Sequence, residues 1–351
     1  LLTGALLTAT GMVVAAPLFR LLGADGPYLT LCLAYMRTIL GGSVFFLLQS
    51  VINGALQAQG DTRTFRNVLI AGCLLNVGLD PWFLHGGAGI PPLGIAGIAL
   101  STVLITAGGA AYILWRVRRT ALGAGIVRSD FRPSGAVLAE MARQGLPASL
   151  NMMTVALGIF VITWFVSRFD ARAVAAYGIA TRIEQIVLLP TIGLNIATLT
   201  LAGQNFGARR VDRVAETWRT ALRYGLILMG AGGVLLLPTA GMVMSAFTAD
   251  PAVIEAGRSY LHVAAFTLGS YVVLYQTVFM LQGMKRPLFG LWVGLFRQVV
   301  VPALVFPALA FVAGMGLHGI WLGIGLVNWS AALFSWAYGA SVLRRAQDVA
   351  R

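Results

Sequence analysis

Long apolar stretches, separated by short gaps that are alternately rich and poor in arginine, constrain this chain more than any other feature. A helix needs about 20 mostly apolar residues to cross a hydrocarbon core of about 30 Å. Ten such segments can be read: 1–22, 28–57, 66–86, 93–115, 146–168, 173–200, 217–247, 254–282, 287–314 and 317–342. Inside lipid the backbone finds no water to bond, so a spanning segment of this kind must be helical. The expectation is an all-α polytopic membrane protein with ten transmembrane helices. Only 11% of residues are charged, against about 25% in an average soluble domain.

The gaps set the orientation. Arg63 and Arg66 follow the second segment, and Arg116, Arg118, Arg119, Arg128, Arg132 and Arg143 follow the fourth. Arg209, Arg210, Arg213 and Arg219 follow the sixth, Lys285 and Arg286 the eighth, and Arg344 and Arg345 the tenth. Residues 86–93 and 314–317 carry no Lys, Arg, Asp or Glu, and residues 248–257 carry Asp250 and Glu255. The positive-inside rule places the basic gaps and the C-terminus in the cytoplasm. The expected location is the cell (inner) membrane. The net charge of +13 is then topological, and nucleic acid is not expected as a partner. Cys32 and Cys73 lie inside apolar runs with no metal or disulfide spacing.

The longest gap, with Asp130, Pro133, Ser134 and Gly135, reads as a linker. A weak internal repeat flanks it. "LQAQGDTRT" (56–64) and "LGIAGIAL" (93–100) have counterparts in "LQGMKRP" (281–287) and "GLHGIWLGI" (316–324). That pairs Gly60 with Gly283 and Gly97 with Gly319. Two equal halves would leave the first two helices short, so the chain is expected to lack its N-terminal pair.

Several motifs agree in order and spacing: "QGDTR" (59–63), "NVGLDPWF" (76–83), "PPLGIAGIALSTV" (91–103), "GLP" (145–147) and "GQNFGA" (203–208). Together they resemble the multidrug and toxic compound extrusion (MATE) transporters over the whole length, as helices three to twelve of twelve. The resemblance implies two pseudo-symmetric six-helix lobes around a cavity that opens to alternate sides. In those terms residues 1–119 are the remainder of the N-terminal lobe, 120–145 a cytoplasmic linker and 146–351 the C-terminal lobe. It also implies an antiporter, driven by H⁺ or Na⁺, that exports drugs or other organic, often cationic, molecules. No further cofactor is implied, and the protein is expected to work as a monomer in the bilayer. The alternative cargo is a lipid-linked oligosaccharide, moved by a flippase on the same scaffold. No HExxH, nucleophile elbow or paired intramembrane histidines are present, so an enzyme is not expected.

Intramembrane polar residues supply the site candidates. A carboxylate at mid-helix costs about 2.5–3.5 kcal/mol on insertion scales. Asp80, about six residues from the outer end of its segment and so at a lower cost, is an intramembrane carboxylate of this kind, with Asn76 a turn earlier on the same face and Pro81 following. Pro81 cannot donate to the Val77 carbonyl and weakens the helix there. The resemblance places Asp80 at the family's fifth-helix coupling position; capping or bonding a neighbouring helix is the alternative. Asp80 and Asn76 are therefore the ion-coupling candidates, with Na⁺ at Asp80 as a possible metal. Glu184, Asn53, Gln57, Tyr275 and Gln276 are candidates for the substrate path. Arg297 and Arg182 are expected to be structural charges, and Glu184 paired with an arginine such as Arg297 is the other reading of that acid. Aromatic and methionine side chains, including Tyr177, Trp164, Trp292 and Met280, can form a surface for flat organic cations.

Overall fold

The computed structural model describes residues 2–21, 25–87, 89–120, 123 and 134–350. Among these the secondary structure is helical, save one isolated bridge between Gly87 and Ile90. The helices are α1 (Leu2–Leu21), α2 (Gly26–Gly41), α3 (Ser43–Ala58), α4 (Arg63–His85) and α5 (Ile95–Arg118). They are followed by α6 (Gly135–Val166), α7 (Ala171–Gly207), α8 (Val211–Ser245), α9 (Pro251–Gly283), α10 (Leu288–Val312) and α11 (Gly316–Ala350). Eight of the described helices are long and apolar enough to span a membrane, or nine if the bent pair α2–α3 counts as one span. The remaining expected segment, 1–22, the first in the chain, corresponds to α1, a helix of 20 residues.

The chain divides into two compact units, Leu1–Arg132 and Pro133–Arg351. In the first, α5 is central and packs on α2, α3 and α4, while α1 packs on α2 and α3. In the second, α9 takes that place against α7, α8 and α11, and α6 packs along α10. Most of residues 121–133, the middle of the expected linker, lie outside the described residues. Its last eleven positions, from Gly135, are already helical and belong to α6.

Three departures from the expected segments have local causes. The span 28–57 is broken by 43° between α2 and α3. A side chain at Gly42 would meet Val103 Cγ2 at 2.4 Å, so α5 occupies the space at the bend. Pro302 and Pro307 interrupt the hydrogen-bond ladder of α10, and wide π-type turns, Phe296–Val300 and Ala308–Val312, adjoin the segment that holds them. Helices α7 and α8 run for 37 and 35 residues, beyond the apolar windows, because the polar turns at the end of α7, with Gln204 and Asn205, and at the start of α8, with Asp212 and Arg213, stay helical.

The repeat holds at one pairing and shifts at the other. A Cβ at Gly97 would meet the Phe83 carbonyl oxygen at 2.5 Å, and one at Gly319 would meet that of Leu309 at 2.8 Å. Both glycines thus let a helix start close against the end of the helix before it. At the other pairing the left-handed residue after α3 is Gly60 (φ 86°), and after α9 it is Lys285 (φ 61°), not Gly283. The turns share one bonding pattern: Asp61 N–H donates to Leu56 O at 3.0 Å and Arg286 N–H to Leu281 O at 2.8 Å. Gly283 is instead a close-packing position, where a Cβ would meet Gly203 N and Leu199 O, each at 2.9 Å.

Candidate functional site

Two groups of polar residues stand inside the apolar bundles, one in each unit. In the N-terminal unit, α4 is apolar on most faces, and its Leu69, Leu74, Leu75 and Val77 are exposed as lipid-facing residues are. Asp80 is half-buried on this helix and bonds the hydroxyl of Ser101, a fully buried residue of α5. Ser101 Oγ also lies 2.8 Å from the Ile98 carbonyl. A serine hydroxyl has one hydrogen and two acceptors are presented to it. When Asp80 is ionised it takes that hydrogen. When Asp80 is protonated it can donate to Ser101 Oγ, which then donates to Ile98. The two proton states of the acid therefore have two different bonding patterns between α4 and α5. Asn76 does not supply the bond expected of it: its Oδ1 is buried with no partner. That leaves a free oxygen one turn from the carboxylate. Among the described residues no group of three or more His, Cys, Asp or Glu could hold a metal ion, so a Na⁺ here would have to use neutral oxygens beside Asp80.

In the C-terminal unit a cavity of about 510 Å³ is walled by α6, α7, α9, α10 and α11. Glu184 lies in it, 5% exposed, and its Oε2 accepts from Tyr260 Oη at 2.5 Å. Tyr177, Tyr260 and Trp321 pack ring against ring with centroids 5.1–5.9 Å apart. Glu184 Oε1 and Trp321 Nε1 are buried without hydrogen-bond partners. Across the cavity Arg297 Nη1 donates to Asn328 Oδ1 at 2.5 Å. Its guanidinium stands 5.7 Å from the Tyr271 ring centre, and its Nε is buried and unpartnered. Arg297 projects from the wide turn of α10. The two opposite charges share one cavity without closing to an ion pair within 4 Å, so the expected Glu184–Arg297 lock is not formed. A buried charge with spare bonding capacity is expensive unless something completes it.

The remaining candidates divide. Tyr275 and Tyr177 line this cavity. Gln276 does not: it is fully buried, donates to Asn195 Oδ1 at 2.6 Å and accepts from Thr198 Oγ1 at 2.5 Å, tying α9 to α7. That places it in the helix-packing interface rather than on a path. Asn53, buried with Oδ1 unpartnered, and half-buried Gln57 belong to α3 of the N-terminal unit. Arg182 is exposed on the cavity lining with no carboxylate within 4 Å among the described residues. Met280 is fully buried in the core, and Trp164 stacks under Arg168 at 4.3 Å. Ser101, Tyr260, Tyr271 and Trp321 were missed by sequence reasoning. Ser101 lay within the quoted "IALSTV" run, whereas no local pattern links Tyr260 to Glu184, 76 residues earlier.

Comparison with known proteins agrees with this picture. The MatE family model matches residues 1–82 and 147–306. The chain is 25% identical to the probable multidrug resistance protein YoeA of Bacillus subtilis, over 99% of this chain and 75% of that protein. It is 29% identical to the FAD transporter of Shewanella oneidensis, over 92% of this chain and 71% of that one. A solved MATE structure in the bent conformation is 26% identical and superposes with a TM-score of 0.91, covering 100% of this chain and 77% of the other. A MOP superfamily transporter from Pyrococcus furiosus, also 26% identical, gives 0.90 over 99% and 77%. The chain belongs to the multidrug and toxic compound extrusion (MATE) family of membrane transporters.

Proposed function

We propose that this protein exports organic molecules, often cationic, in exchange for an inward-moving H⁺ or Na⁺, by alternating access. Residues 1–119 and 146–351 act as two lobes joined through 120–145, and ten spans, with Leu2–Leu21 as the first, carry them. The protein resides in the cell membrane with its arginine-rich gaps and C-terminus in the cytoplasm. The observation that supports coupling best is the Asp80–Ser101 contact, whose bonding pattern must change when the acid gains or loses a proton or ion. The free Asn76 oxygen offers a second ligand. Glu184, framed by Tyr177 and Tyr260, supplies the negative charge and aromatic faces that attract a flat cation.

A second cargo has one observation in its favour. Arg182 and Arg297 line the same cavity, and two guanidinium groups beside tyrosines suit an anionic aromatic such as FAD, the substrate named for the Shewanella relative. Uptake of a fluorescent cation and of FAD into inverted vesicles, with pH and Na⁺ gradients imposed separately, separates these readings. Gradient-dependent uptake of the cation, lost in Asp80→Asn with the protein still inserted, supports the proposal. Uptake of FAD alone favours the second cargo, and undiminished gradient-driven uptake by Asp80→Asn removes that residue from coupling.

A further inference from the structure

The largest groove described in the C-terminal unit is not the one around Glu184. It has a volume of about 950 Å³ and lies between the start of α6, the α9–α10 turn, α10 and α11. Its two ends differ. The rim carries Arg143, Lys285 and Arg286, and the floor is aromatic, with Phe289, Trp292, Phe334 and Tyr338. Phe289 stacks on Tyr338 at 4.5 Å and on Phe334 at 6.3 Å. Trp292, Phe296 and Phe334 are each more than half exposed, so the groove opens on the outer surface of the bundle, where a membrane protein meets lipid.

From Leu288 to Phe296 the floor runs nine residues, eight helical steps or about 12 Å at 1.5 Å each. That is most of one leaflet's half of a hydrocarbon core of about 30 Å. A headgroup alone would leave this apolar length empty, and an apolar chain alone would leave the rim unused.

The rim charges are available and firmly placed. One acid faces them: Glu140 lies 3.3 Å from Arg143 Nε and 3.9 Å from Lys285 Nζ, and accepts from Gln144 Nε2 at 3.2 Å. Both ion pairs are solvent-exposed, and such pairs hold their partners weakly. Arg286 has no carboxylate within 4 Å among the described residues, and three cations against one acid leave a positive rim. Lys285 and Arg286 are fixed by the turn itself, through Lys285 N–H to Gln282 O at 3.0 Å and Arg286 N–H to Leu281 O at 2.8 Å.

We propose that this groove binds one anionic glycerophospholipid, its phosphate held by Arg143, Lys285 and Arg286 and an acyl chain laid along Trp292 and Phe296. Basic pockets between membrane helices at a headgroup level recognise acidic lipids by this charge complementarity. Because the rim falls in one of the basic gaps, the proposed topology assigns the lipid to the inner leaflet; binding itself does not depend on transport or on Asp80.

The test is native mass spectrometry of the purified protein from micelles doped with phosphatidylglycerol and phosphatidylcholine of matched chains. Wild type should retain phosphatidylglycerol preferentially. Each of R143Q, K285Q and R286Q should lower that preference about fivefold, and the triple variant should retain the two lipids equally. Trp292→Ala should reduce both lipids alike. Excess inorganic phosphate should not displace the lipid. Equal retention of the two lipids by wild type, an unchanged preference in a folded triple variant, or displacement by phosphate alone would each overturn the proposal. Circular dichroism of each variant confirms that it is folded, and binding is scored only in folded protein.

Discussion

At the scale of single residues, the account turns on a small number of polar atoms that packing has isolated. Among the described residues Ser101 is the side chain that bonds Asp80, and removing it should act through the same step as removing the acid. Ser101→Ala is expected to slow gradient-driven export by about tenfold, the equivalent of about 1.4 kcal/mol, within the range of one hydrogen bond. In the double variant with Asp80→Asn the losses should not add, which a double-mutant cycle on transport rates measures. Additive losses would mean that Ser101 serves packing alone. In the C-terminal cavity Glu184→Gln should lower transport of cations more than that of neutral substrates. Tyr260→Phe, which removes the 2.5 Å hydrogen bond to Glu184 Oε2, should move that preference the same way by a smaller factor. Equal losses for neutral and cationic substrates in both variants would assign the pair to structure.

At the scale of elements, the helix ends and crossings carry separable predictions. Asp61, in the turn before α4, accepts from Thr64 Oγ1 at 2.6 Å and from Thr64 N–H at 3.0 Å, with Arg116 of α5 at 3.9 Å. The bonds from Thr64 first, and the Arg116 charge after them, hold its carboxyl below the usual carboxylate value. A depressed value in the folded protein means that stabilisation is present above about pH 4 and is lost as pH falls through the folded value. Asp61→Ala should therefore lower stability by about 1 kcal/mol at pH 7 and remove part of the loss seen between pH 4 and pH 2, read by thermal unfolding in detergent. A variant that melts like wild type at pH 7 would show that the turn needs no carboxylate. Gly97→Ala should destabilise more, since its Cβ would meet backbone rather than a movable side chain; a melting temperature within a degree of wild type would contradict that contact.

At the scale of the whole molecule, the helical class and most spans were legible because lipid leaves the backbone so few options. Apolar length alone marked the helices to within a few residues on the lipid side. It could not mark where α7 ends or where α6 and α8 begin, since a helix persists into water without the apolar pattern that marks a span. Nor could it show the bend at Gly42, where Val103 from another helix fills the space beside the glycine. The repeat was visible at Gly97 and Gly319 but displaced at Gly283, because glycine marks both left-handed turns and tight crossings and the sequence does not say which. Asp80 stood out because an acid in an apolar run needs a reason. Its partner Ser101 did not, as serine is unremarkable in a membrane helix. Gln276 looked like a path residue for the reason Asp80 looked like a coupling residue, yet its polarity is spent on Asn195 and Thr198.

The central claim is that ion occupancy at Asp80 is exchanged for substrate. The most direct measurement records both fluxes in the same proteoliposomes: substrate leaving the lumen, and H⁺ or Na⁺ entering it, after a substrate gradient is imposed with no ion gradient. The account predicts ion entry in fixed ratio to substrate exit in wild type, and no substrate-driven ion entry in Asp80→Asn. Substrate exit from wild-type vesicles with no accompanying movement of either ion would contradict it.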